Sequence, residues 1–150
     1  MKGYTYAGKK GKAVARARGL EMHISPKKTY EVLNAIRGRT LEEARSFLEE
    51  VAALKRPVPF RRYNQEVAHK PQAGPGRFPV KVAERVLEVL GNAEANAEYE
   101  GMDTDRLVVE VAAAARGQIL KAVMPRAHGR ATNWNEQTTH VEIVLAEREK

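Results

Sequence analysis

Apolar positions recur along this chain with two different periods, and the switches between them mark out the elements. From Gly19 onward, Leu20, Met22 and Ile24 alternate with Glu21 and His23, the pattern of a half-buried strand. Ser25 and Pro26 then supply a capping residue followed by a proline at the first helical position, and Tyr30, Leu33 and Ile36 recur at helical spacing until Gly38. Thr40 and Glu43 form a capping-box pattern for a second helix, whose apolar stripe is Leu41, Ala44, Leu48 and Val51. A third helix is predicted from Pro79, with Ala83, Val86, Leu87, Leu90, Ala93 and Ala97 on one stripe, ending before Gly101. Leu107, Val109 and Val111, and later Val141, Ile143 and Leu145, alternate as two more strands.

Three segments escape these periods. Residues 1–18 hold no acid and read as a basic N-terminal arm, in which Lys9, Lys10, Lys12, Arg16 and Arg18 suit a phosphate backbone; an ordinary solvated terminus is the competing reading. Residues 55–79 contain five of the seven prolines and one acid, Glu66, which predicts a loop and no regular element. Its Arg61, Arg62, His69, Lys70 and Arg77 suit phosphate contact and its aromatics suit stacking, against a purely structural role. Residues 111–137 lie between the last two strands, with no acid between Glu110 and Glu136. Hairpin loops usually have about two to five residues, so this connection is either disordered or an extended ribbon. A ribbon arm of about twelve residues reaches roughly 40 Å at about 3.3 Å per residue. It carries Arg116, Lys121, Arg126, His128, Arg130 and Trp134, the last suited either to a base or to its own hairpin.

Charge sharpens this picture. There are 26 Lys and Arg against 19 Asp and Glu, a net charge of +7, and a pI near 9.8, which favour a polyanionic partner. The acids are segregated: Glu84, Glu88, Glu94, Glu98, Glu100, Asp103 and Asp105 fall on or just after the third helix, a surface that RNA would repel and that is expected to face solvent or another protein. With no cysteine there is no disulfide framework, thiolate nucleophile or cysteine-held zinc. No apolar run approaches eighteen residues, and a soluble, cytoplasmic chain of one domain, 1–150, is expected. His23, His69, His128 and His140 lie in no metal-helix pattern, and no nucleophile elbow or phosphate loop occurs, so neither catalysis, a metal nor a cofactor is expected.

The motifs then carry a resemblance. MPRAHGRA at 124–131, followed by TTHVEIVL at 138–145, resembles the end of the large-subunit ribosomal protein twenty-two family, as do the Ser25-Pro26-Lys27-Lys28 helix start, VLNAIRG at 32–38 and the helix at 40–48, in the same order. PVPFRRYNQEVAHK at 57–70 and GRFPVKVAERVLEVLGNAEANAE at 76–98 resemble the archaeal and eukaryotic branch, and the short C-terminal tail favours the archaeal form. The resemblance implies an α/β (α+β) body, three helices packed on a small three-stranded antiparallel sheet, with a long extended β-hairpin arm. It further implies a structural, non-enzymatic constituent of the large ribosomal subunit. Its expected partners are large-subunit ribosomal RNA, neighbouring large-subunit proteins and the nascent polypeptide in the exit tunnel, with no membrane and no homo-oligomer. Lys27 and Lys28 join the expected RNA contacts. The tunnel-lining tip maps to Met124, Pro125, Arg126, Ala127, His128, Gly129 and Arg130. His128 stands where bacterial members often have lysine, which leaves the charge of the tip at neutral pH open. The 55–79 insertion is absent from bacterial relatives.

Overall fold

The computed structural model describes residues 4–6 and 13–148. They form, in chain order, β1 (Val14–Met22), α1 (Pro26–Ile36), α2 (Leu41–Ala52), β2 (Val58–Pro59), β3 (His69–Lys70), β4 (Gly74–Arg77), α3 (Val80–Tyr99), β5 (Leu107–Leu120), β6 (Val123–Pro125), β7 (Ala131–Asn133) and β8 (Glu136–Glu147). The main sheet is antiparallel in the order β1-β8-β5. The three helices pack on it: α3 against β1 and β8, α1 against β5 and β8, and α2 against α3 and β5. Leu33, Ile36, Leu48, Leu90, Leu107, Ile143 and Leu145 are at most 1% exposed and make the centre of the core. The expected α+β body with its three-stranded sheet is therefore present.

Local chemistry explains most helix boundaries. At Thr40 both halves of the capping box form, the hydroxyl accepting from the Glu43 N–H and the Glu43 carboxylate accepting from the Thr40 N–H. Ser25 is extended ahead of Pro26, but its side chain makes no cap bond; its carbonyl instead accepts from the Thr29 hydroxyl at 2.8 Å. The joint between α1 and α2 is stitched to β5, with the Gly38 N–H donating to the Val109 carbonyl and the Val109 N–H donating to that of Arg39, each at 2.9 Å.

Several expectations need correction. The first strand begins at Val14, so Arg16 and Arg18 belong to β1 and not to an arm; Ala15 and Ala17 are its buried positions. Its register shifts between Gly19 and Met22, Glu21 takes φ 48°, and Leu20 ends 61% exposed, off the core face assigned to it. A second register shift at Glu110 turns Val111 half out and buries Ala112 in its place. Leu87 sits at the edge of the core, half-buried, while Val82 and Val89 join the stripe of α3. Residues 55–79 are not devoid of regular structure: β2, β4 and β3 form a small sheet in that order. Its ladders are only two pairs long, and although proline has no N–H to give, the Pro75 carbonyl still accepts from Phe60.

Candidate nucleic-acid interface

The pairing of β5 with β8 extends far beyond the core. Buried positions on β5 end at Ala112, yet the ladder runs on to Leu120↔Glu136, and β6 and β7 resume it through Val123↔Asn133 to Pro125↔Ala131. A bulge between Arg116 and Ile119 marks where the ribbon leaves the body. Its carbonyls are satisfied by side chains of β8, Gln137 Nε2 donating to Gly117 at 2.8 Å and the Thr138 hydroxyl donating to Gln118 at 2.9 Å. A side chain at Gly117 would run into the Thr138 hydroxyl. The extended ribbon, rather than a disordered connection, is thus what the chain forms.

Arg116, Lys121, Arg126, His128 and Arg130 are all exposed along this ribbon. The tip is closed by the Arg126 N–H donating to the Arg130 carbonyl at 2.8 Å, with His128 and Gly129 both left-handed at φ 59° and 69°. Met124 is half-buried, while Pro125 and Ala127 are exposed. Trp134 is 58% exposed, and its backbone N–H donates to the Ala122 carbonyl.

A second basic surface surrounds the small sheet. Glu31 on α1, 1% exposed, accepts N–H bonds from Arg61, Arg62 and Tyr63, and so fixes the start of the inserted loop over α1. That brings Lys27, Lys28, Arg62 and Arg77 around one cavity of about 580 Å³ with Phe60 and Tyr63 and no acid in its lining. The cations lean on rings: Arg62 lies 5.1 Å from the Tyr30 centroid, Lys27 5.8 Å from Tyr63 and Arg77 5.9 Å from Phe60. The Tyr30 hydroxyl first, and then the neighbouring Tyr63, push the Arg62 guanidinium above its ordinary pKa. Arg61 faces a separate cleft, and His69 and Lys70 are exposed on β3.

Arg16 and Arg18 are half-buried in β1, Arg16 over the Tyr4 ring at 5.7 Å. Lys9, Lys10 and Lys12 lie outside the described residues. Beside Arg18, the Glu142 carboxylate accepts N–H bonds from Thr5 and Tyr6 at 3.0 and 3.1 Å. Burial alone would raise its pKa, but those N–H groups and the Arg18 charge outweigh burial and hold it below the usual value. The acids of α3 are mostly exposed; Glu94 pairs with Arg45 of α2 and Glu88 with Arg85 at 2.9 Å.

Two further cations, Arg39 and Arg56, escaped the sequence reading. Both lie over the Phe47 ring, at 4.6 and 5.1 Å from its centroid. Only the folding of the insertion beside α2 brings them to one cleft, and no motif signals it. Among the described residues no cluster of His, Asp or Glu is able to hold a metal ion, and no helix is long and apolar enough to cross a membrane.

Residues 17–146 match the family described as ribosomal protein L22p/L17e. The chain is similar to proteins named large ribosomal subunit protein uL22. It is 47% identical over 138 residues to that of Methanopyrus kandleri, covering 89% of this chain and 87% of the relative. It is 49% identical over 136 residues to that of Methanothrix thermoacetophila, at 89% and 90% coverage. With that of Archaeoglobus fulgidus it shares 45% identity over 148 residues, at 97% and 96% coverage.

Proposed function

The chain belongs to the ribosomal protein L22p/L17e family, and from that premise we propose that it binds large-subunit ribosomal RNA, supports subunit assembly and lines the exit tunnel with its ribbon. It is a structural ribosomal protein, not an enzyme. The observation that carries the RNA reading is the ribbon: the paired strands continue past the last buried residue of β5 into a stretch, residues 111–135, that holds no acid and bears exposed arginines and an exposed tryptophan. A two-stranded ribbon is marginal in water by itself. Surrounded by RNA, its Arg116, Lys121, Arg126 and Arg130 neutralise phosphates and release counterions, which gives affinity with little base specificity.

In this reading the tip from Met124 to Arg130 reaches the tunnel wall and meets the nascent polypeptide. The body sits at the surface, with Lys27, Lys28, Arg61, Arg62, His69, Lys70 and Arg77 on RNA, Lys9, Lys10, Lys12, Arg16 and Arg18 following phosphates, and the acidic face of α3 toward solvent or neighbouring proteins. The protein acts in cytoplasmic ribosomes as one copy per large subunit, with no cofactor. Sedimentation of a lysate at low and then high salt tests this. The protein is expected to stay with the large subunit through the salt wash at one copy per particle; release at modest salt would overturn the proposal.

A further inference from the structure

Beside α2 the inserted sheet closes a second cleft, of about 210 Å³, lined among others by Asn34, Arg39, Phe47, Arg56, Arg61 and Gln72. We propose that this cleft holds one unstacked base of an RNA strand, with Arg39 and Arg56 as its stacking planes and the amides of Asn34 and Gln72 reading its edge.

The lining supports a nucleobase on four counts. Its charge is all of one sign, three guanidiniums and no carboxylate, which disfavours a cation or a basic peptide. Phe47 is 3% exposed and serves as a rigid base, with the Arg39 and Arg56 guanidiniums 4.6 and 5.1 Å from its ring centroid, within cation–π reach, so both planar groups are held at the cleft. Arg56 is held further by Glu50 at 3.3 Å, whereas Glu50 itself does not line the cleft. Pockets for drug-sized ligands run about 300–1,000 Å³, so a space of this size suits one ring system with its sugar and phosphate left at the mouth. There Arg61 is exposed and able to meet the phosphate.

Gln72 adds an independent sign. It sits at φ 68° in the turn between β3 and β4, a conformation that costs a non-glycine residue energy. A glycine would turn the chain there without strain; a glutamine turns it and also supplies an amide donor and acceptor to the cleft. Splayed bases recognised on arginine planes and hydrogen-bonded at their edges are the usual mode of single-strand RNA recognition.

This inference rests on the RNA-binding reading above, and the test separates the two. The full chain and a double variant, Asn34→Ala with Gln72→Gly, are titrated with a short mixed-sequence single-stranded RNA and with a blunt RNA duplex at several salt concentrations. Gln72→Gly keeps the left-handed turn, and neither change removes a charge. The expected result is about tenfold weaker single-strand binding with an unchanged salt slope and unchanged duplex binding. Ultraviolet crosslinking of large subunits is expected to join a nucleotide to the peptides bearing Phe47 or Gln72. Equal single-strand affinity of the variant, or crosslinks from this cleft to protein alone, would overturn the base-binding site. If the unaltered chain co-sediments with the subunit while the variant binds normally, the cleft proposal fails and the ribosomal reading survives; if the unaltered chain does not co-sediment, the broader reading fails.

Discussion

The carboxylate of Glu31, in the middle of α1, accepts the backbone N–H of Tyr63 at 2.7 Å, a bond across 32 positions of sequence. Two more N–H groups, of Arg61 and Arg62, converge on the same buried carboxylate. A single side chain therefore anchors the loop that carries Arg61, Arg62 and Tyr63. Glu31→Gln replaces one acceptor oxygen with a donor that faces another donor. Unfolding in denaturant is expected to show a loss of about 1–3 kcal/mol, and amide exchange at residues 61–63 is expected to speed up.

Glu142 sets an acid limit. Its pKa is lowered in the folded chain, so the stability it contributes is fully present above the ordinary carboxylate value of 4.5 and is lost as pH falls through the lower folded value. Glu142→Gln is expected to flatten the acid limb of a melting-temperature profile, with the largest difference from the unaltered chain near neutral pH. An unchanged acid limb would show that the Thr5 and Tyr6 contacts contribute nothing.

Gly117 lies at the root of the ribbon, where a side chain would strike the Thr138 hydroxyl. Gly117→Val is expected to break the Thr138 and Gln137 bonds to the bulge, costing about 1–3 kcal/mol. Proton–proton contacts between β5 and β8 measured by NMR are expected to vanish beyond Arg116 while those nearer Leu107 persist.

Arg126→Glu with Arg130→Glu is expected to impair large-subunit assembly or tunnel function, read from ribosome profiles on gradients. Both residues are exposed and far along the ribbon, so the melting point of the isolated chain is expected to shift by no more than about 0.5 kcal/mol equivalent. Normal assembly with the double variant would count against the ribbon as the RNA-contacting arm.

The core gives the opposite phenotype. Leu90 is 1% exposed, so Leu90→Asp buries an unpaired charge and is expected to unfold the body, a loss above about 4 kcal/mol. Leu87, half-buried at the rim, can turn a carboxylate to water, and Leu87→Asp is expected to leave a folded chain with a lower melting point. Circular dichroism of the two variants distinguishes them.

What the sequence by itself determined was everything carried by local period and local chemistry. The capping box at Thr40 and Glu43, the helical stripes and the acid-free stretch between two apolar strands are each set by residues close together in the chain, and each is present in the folded protein. Tertiary structure decided the rest. The loop that follows β2 is held over α1 because Glu31 offers its carboxylate to the N–H groups of residues 61–63, a partner some thirty residues away. Ala15 and Ala17 form a strand although alanine has little strand preference, because β8 supplies the ladder and α3 covers them. The register shifts at Gly19–Met22 and at Glu110 decide that Leu20 faces out and Ala112 faces in, and one residue of slip exchanges the faces of a strand whatever its own pattern says. Likewise Arg39 and Arg56, seventeen positions apart, meet only because both fold onto Phe47.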